Sequence, residues 1–218
     1  MEGVIDVIRR DRLMILSRGV RKNVLVKAVS AIADAGITLY ESTFDHTVSD
    51  PLAENAEKIA ALVKAVGDRV RIGAGTVLTV EEVRVAAEAG AEYVISPGTD
   101  EDVIAETKRL GLVSIPGVMT PSEIMRALKL GADMVKLFPA DDLGYHFIRN
   151  LKGPFPRVEF LATGGVNPET IPEFFAAGIT AVGTGVTVMR RDLIEKEDYR
   201  GIAELARKHV EAVKGFVK

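Results

Sequence analysis

Short runs rich in β-branched and apolar residues alternate along the whole chain with longer runs of helical period. The strand candidates are LMILSR (13–18), ITLYEST (37–43), RIGAG (71–75), YVIS (93–96), LVSIP (112–116), MVKLF (134–138), VEFLAT (158–163) and TAVGT (180–184). Between them, segments such as NVLVKAVSAIADAG and TVEEVRVAAEAG repeat their apolar residues at the spacing of an amphipathic helix. Gly36, Gly90, Gly111, Gly131 and Gly178 each stand between a helical run and the next strand. A glycine there takes the left-handed capping conformation without a Cβ penalty. Thr120-Pro121-Ser122-Glu123 and Asn167-Pro168-Glu169 read as helix starts, with a capping side chain and an early proline. Val4, Ile5 and Ile8 fall at helical spacing, so residues 2–10 are expected to form an extra helix across the bottom of the fold.

The strand candidates read as buried on both faces, which is the pattern of a parallel sheet covered by helices. Eight strand–helix units in succession, with no low-complexity linker, predict one domain over 1–218: a closed (β/α)₈ TIM barrel. An open doubly wound sheet usually carries a glycine-rich turn after its first strand. Here the first strand ends in Arg18 and the glycines gather after the last two.

Composition narrows the function. The chain has 218 residues, 47% of them hydrophobic, yet no apolar run approaches the roughly 20 residues of a membrane span. A formal net charge of −3 argues against a nucleic-acid ligand, which calls for a basic surface. There is no cysteine, and the three histidines are scattered, so neither disulfides nor a zinc site is expected. His209 reads as a surface residue of the last helix, while His46 and His146 read as loop residues after strands two and six. The first residues lack the layout of a signal peptide, and the expectation is a cytoplasmic protein.

In such a barrel the chemistry sits at the C-terminal ends of the strands. Lys136 lies inside MVKLF, where alternation places it with Met134 and Phe138 on one face. Burial there would disfavour the ammonium form and favour an amine nucleophile. A structural ion pair is the competing reading. Glu41 lies inside ITLYEST, with Ile37, Leu39 and Thr43 on its face. It reads either as the partner carboxylate of Lys136 or Arg18, or as a general acid/base. Arg18 could take a substrate carboxylate. Thr163-Gly164-Gly165 and Gly183-Thr184-Gly185 end strands seven and eight, where barrels commonly bind phosphate, with Thr163 and Thr184 as further hydroxyl donors.

Taken in order, Glu41-Ser42-Thr43, Gly73-Ala74-Gly75-Thr76, Ile95-Ser96-Pro97-Gly98, Ile115-Pro116-Gly117, Val135-Lys136-Leu137-Phe138-Pro139-Ala140, Gly153-Pro154-Phe155 and Thr163-Gly164-Gly165 resemble the 2-keto-3-deoxy-6-phosphogluconate (KDPG) aldolase family, which includes 4-hydroxy-2-oxoglutarate (KHG) aldolases. The resemblance implies a class I aldolase with Lys136 as Schiff-base lysine and Glu41 as general acid/base. Arg18, Thr76, Pro97 and Phe138 would frame the keto acid, and the Gly164-Gly165 backbone would hold a phosphate. It implies a homotrimer acting on a small 2-keto acid and an aldehyde. No metal or organic cofactor is needed, because the protonated imine is itself the electron sink. Two positions depart from the family pattern: Asp45 stands where some members have arginine, and Val186 where a phosphate-binding serine is common. KDPG and 4-hydroxy-2-oxoglutarate are both expected as substrates: a one-residue shift would let Thr184 or Thr187 replace the serine, whereas loss of its hydroxyl would favour a smaller or unphosphorylated aldehyde such as glyoxylate. The rival readings are a phosphate-binding barrel isomerase or epimerase that uses Lys136 only for its charge, and a non-catalytic or engineered trimer scaffold.

Overall fold

Parallel strands alternate with helices around a closed ring in the computed structural model, which describes residues 2–216. The strands are β1 Leu13–Ser17, β2 Leu39–Thr43, β3 Arg71–Gly75, β4 Tyr93–Ile95, β5 Val113–Ile115, β6 Gly117–Val118, β7 Val135–Leu137, β8 Phe160–Thr163 and β9 Ala181–Thr184. Their order is β5-β4-β3-β2-β1-β9-β8-β7-β6. The two ends, β5 and β6, are halves of one barrel strand interrupted at Pro116, which has no N–H to give to a ladder. The lower half pairs with β4 and the upper half with β7, and that switch closes the barrel at eight strands. The Lys136 amide donates to the Pro116 carbonyl across the seam at 2.8 Å.

The helices are α1 Val4–Asp11, α2 Lys22–Asp34, α3 Pro51–Val66, α4 Val80–Glu88, α5 Glu101–Arg109, α6 Pro121–Lys129, α7 Ala140–Lys152, α8 Ile171–Ala176, α9 Arg191–Glu195 and α10 Tyr199–Lys214. The five inter-element glycines all have positive φ, from 75° at Gly111 to 99° at Gly36. Thr120 and Glu123 form a reciprocal capping box at the start of α6. Asn167 differs from expectation. Its Oδ1 accepts from the amides of Glu169 and Thr170, capping a separate turn, and α8 begins only at Ile171.

Two apolar layers result. The outer one packs helices against the outward faces of the strands. The inner one joins Met14, Leu39, Tyr93, Ile95, Ile115, Met134, Leu161 and Ala181 to Val4, Val7 and Ile8 of α1. The N-terminal helix therefore plugs the barrel floor. Met134 faces inward, and Lys136 above it is buried, as the alternation requires. Ile37 does not share the inward face of Glu41. It precedes β2, its amide still caps α2 through the Ile32 carbonyl, and its side chain joins the outer layer.

Candidate active site

The upper ends of the strands place a buried amine, a carboxylate and an arginine around one opening. Lys136 retains 7% of its surface. Its Nζ lies 4.6 Å from the centre of the half-exposed Phe138 ring, a cation–π arrangement at the mouth. Burial pushes its pKa below the ordinary lysine value; Glu41 pulls it back up, and Arg18 adds to the depression. Among the described residues no direct ion pair joins Lys136 to Glu41 or to any other carboxylate. The purely structural ion-pair reading of Lys136 therefore loses its partner.

Glu41 is 2% exposed, and its carboxylate lies over Gly75 of the neighbouring strand. A Cβ at Gly75 would fall 1.6 Å from Glu41 Oε1, so glycine is the only residue that leaves this carboxylate its place. Thr43 Oγ1 donates to Oε1 at 2.8 Å, while Oε2 is buried without a partner. Thr163 Oγ1 is likewise buried and unpartnered, and Gly183 makes room for the Thr163 methyl: a Cβ there would sit 2.9 Å from Cγ2. Buried polar atoms normally find partners, so these free oxygens point to a wet or ligand-filled interior.

Arg18 Nη2 donates to Thr76 Oγ1 at 2.7 Å. Thr76 has φ 55°, a left-handed conformation that costs a non-glycine residue about 1–2 kcal/mol. Such strain gathers at functional sites. Pro97, just past β4, lies against Gly117, whose missing Cβ would lie 2.1 Å from the Pro97 carbonyl oxygen. Asp45 lies beside Arg18. The Thr47 hydroxyl and amide, at 2.6 and 3.1 Å from its Oδ1, hold its carboxyl below the usual range, with the Arg18 and Lys58 charges adding to the effect.

The glycine-rich ends are only partly as expected. Gly164 and Gly165 have φ of 101° and 66° and pack against Asp141, whose Oδ1 would be 2.6 Å from a Cβ on Gly164. Thr184 does not offer its hydroxyl to the mouth. It donates to the Val166 carbonyl at 3.0 Å and meets Thr187 Oγ1 at 2.7 Å. Thr187 in turn reaches His209 Nε2 at 2.9 Å, and His209 Nδ1 donates to the Leu205 carbonyl at 2.8 Å. His209 is therefore no surface residue. It is 1% exposed, and burial lowers its pKa below the ordinary histidine value. Val186 is 84% exposed. His46 is an exposed loop residue bonded to Glu82 Oε1 at 2.6 Å, whereas His146 lies within α7 rather than in a loop and contacts Asn150. No group of three histidine or acidic side chains that could hold a metal occurs among the described residues. Among the described residues no helix is long and apolar enough to cross a membrane.

Sequence reasoning missed Tyr93 and Asp141. Alternation in YVI would have put Tyr93 on the inward face with Ile95. Nothing in the local sequence marks Asp141 as the neighbour of Gly164 and Gly165.

A parallel eight-stranded barrel with a charge-disfavoured lysine at its mouth, across from a buried carboxylate, defines a class I aldolase. The family of KDPG and KHG aldolases matches residues 4–205, and this chain belongs to it. The 2-dehydro-3-deoxy-6-phosphogalactonate aldolase of Escherichia coli (strain K12) is 31% identical over 92% of this chain and 96% of its own length. The 2-dehydro-3-deoxy-phosphogluconate aldolase of Treponema pallidum (strain Nichols) is 32% identical, with coverages of 98% and 99%. A KDPG aldolase structure from Legionella pneumophila, with pyruvate captured as a covalent carbinolamine, superposes with a TM-score of 0.82 at 26% identity, covering 92% of this chain and 95% of its own. The protein is a carbon–carbon lyase, and the isomerase reading falls away.

Proposed function

We propose that the chain is a cytoplasmic, homotrimeric aldolase that reversibly cleaves a 2-keto-4-hydroxy acid to pyruvate and an aldehyde. In this reading Lys136 supplies the amine and Glu41 the acid/base. The observation that carries it is the buried Lys136, its ammonium form disfavoured and without an ion-pair partner, facing the same opening as a carboxylate with one free oxygen. The capture of pyruvate as a carbinolamine in the Legionella pneumophila protein supports the same chemistry.

Lys136 Nζ adds to the C2 carbonyl, and loss of water leaves a protonated imine. Glu41, directly or through one water, takes the proton of the C4 hydroxyl. The C3–C4 bond breaks, its electron pair flows to the imine as an enamine, and the aldehyde departs. Glu41 returns a proton to C3, and water hydrolyses the imine to pyruvate and free Lys136. Arg18, with Thr43 and Thr76, would hold the carboxylate end, and Pro97, Phe138 and Thr163 would frame the chain of the substrate. The backbone at Gly164, Gly165 and Gly183 would meet its far end.

That far end is read as unphosphorylated. Val186 presents an apolar side chain to solvent, and the Thr184 hydroxyl is committed to Val166 and Thr187. Asp141 also sets a carboxylate beside Gly164 and Gly165, where a phosphate dianion would be repelled. These features favour 4-hydroxy-2-oxoglutarate, releasing glyoxylate, over KDPG or its galactonate counterpart, which release glyceraldehyde 3-phosphate. Borohydride reduction in the presence of pyruvate, followed by peptide mapping, tests the mechanism. An adduct on Lys136 is expected, and its absence would remove the Schiff-base reading. A coupled pyruvate assay across the three keto acids ranks the substrates.

A further inference from the structure

The inner layer of the barrel contains one feature that the proposed mechanism does not use. Tyr93 is fully buried, and no group completes a well-formed hydrogen bond with its hydroxyl, although the Tyr40 backbone lies close to it. Its neighbours in that layer, including Leu39, Ile95, Ile115 and Leu161, are apolar. A buried hydroxyl without a partner is unfavourable relative to phenylalanine, which would fill the same volume without the polar atom.

The register explains what the phenol is near. Glu41 of β2 pairs with Gly73 of β3, and Gly73 pairs with Tyr93 of β4, so the three form one row across the sheet. Gly73 is the gap in that row. A Cβ there would fall 2.1 Å from Tyr93 Cε2, so the ring lies across the glycine from its own strand toward β2. Among the described residues, two of the three buried side-chain oxygens without a well-formed hydrogen bond, Glu41 Oε2 and Tyr93 Oη, therefore belong to the two ends of the same row.

We propose that Tyr93 is a positioning residue for Glu41, its hydroxyl donating to Glu41 Oε2 through one buried water. Thr43 holds Oε1 from above, and the phenol–water pair holds Oε2 from within the barrel. Burial first, and then the nearby Glu41 charge, keep the phenol well above its usual range, so it remains an O–H donor at any working pH. The groups that act on this pair are Lys136 from β7, itself facing Arg18 beyond β1, Thr43 and Tyr40 from β2, and Glu92 before β4. Among them Tyr93 is an uncharged donor from within the barrel, and a hydrogen bond donated to a carboxylate favours its ionised form.

This inference rests on the aldolase reading, and its test separates the two. Pyruvate in D₂O exchanges its methyl protons when the Lys136 imine forms. Glu41 takes a C3 proton, the C–H electron pair moves toward the imine nitrogen, and a solvent deuteron returns to C3. The probe needs no aldehyde. Tyr93→Phe should move the acidic limb of the exchange-rate profile up by about one pH unit, slowing exchange roughly tenfold below that limb. Borohydride trapping of pyruvate on Lys136 should be unchanged in the same variant. Superimposable exchange profiles, with a melting temperature equal to or above that of the parent, would overturn the role of Tyr93 and leave the Schiff-base chemistry standing. A parent protein that neither exchanges nor traps pyruvate would overturn both.

Discussion

Lys136 illustrates how one residue can serve function against stability. Its folded pKa lies below the unfolded value, so between the two the unfolded chain binds more protons and stability rises with pH, up to about 10.5. At neutral pH the buried ammonium is an unfavourable group without a direct ion pair. Lys136→Met should therefore abolish the pyruvate adduct while raising stability by about 1 kcal/mol, and it should flatten the alkaline rise seen in denaturant titrations at several pH values. The same depression means that adduct formation in the parent reaches its plateau at a lower pH than an ordinary lysine would give. The sequence revealed that Lys136 and Glu41 were unusual, because charged residues interrupt buried strands. It left open whether they neutralise each other. The absence of a direct ion pair between them, and the free oxygen of Glu41, are facts of placement that no local pattern encodes.

Among the elements, α1 closes the end of the barrel opposite the site. Val4, Val7 and Ile8 complete the apolar floor beneath the inward-facing strand residues. Ile8 is fully buried, and Ile8→Ala should cost about 3 kcal/mol, measurable as a lowered denaturation midpoint, with the exchange chemistry of surviving folded enzyme intact. This helix was legible from the spacing of three apolar residues. The division of the fifth strand at Pro116 was not. Val113–Ile115 and Gly117–Val118 look like one run, and only the change of partner from β4 to β7 shows that the proline marks the barrel seam. His209 was misread for a related reason. Its helix has a polar face, but Thr187 comes from a different element, the turn after β9, to meet the imidazole.

Across the whole molecule, the apolar plug and the polar mouth occupy opposite ends of a barrel whose interior is mostly apolar. The mouth is asymmetric. Lys136, Glu41 and Arg18 gather at one side, while Asp141 lies against Gly164 and Gly165 and Val186 stands exposed after β9. Val186→Ser should increase kcat/KM for KDPG by roughly tenfold, the scale of one added hydrogen bond to a charged group, and leave pyruvate exchange unaltered. An equal response from both substrates would show that position 186 does not contact the aldehyde end.

The sequence alone determined the eight-unit alternation, the inward orientation of Lys136 and the glycine caps. Each follows from periodicity or backbone sterics within a few residues. It also carried the family pattern, because the site's motifs fall at successive strand ends in chain order. Tertiary structure decided the relations between strands: Gly75 beneath the Glu41 carboxylate, Gly73 between Glu41 and Tyr93, and Thr184 turned toward Val166 and Thr187. Those depend on the stagger of neighbouring strands, which sets side chains from distant parts of the chain within contact. Hydrophobic alternation fixes which face a residue occupies, whereas inter-strand register fixes what it meets there.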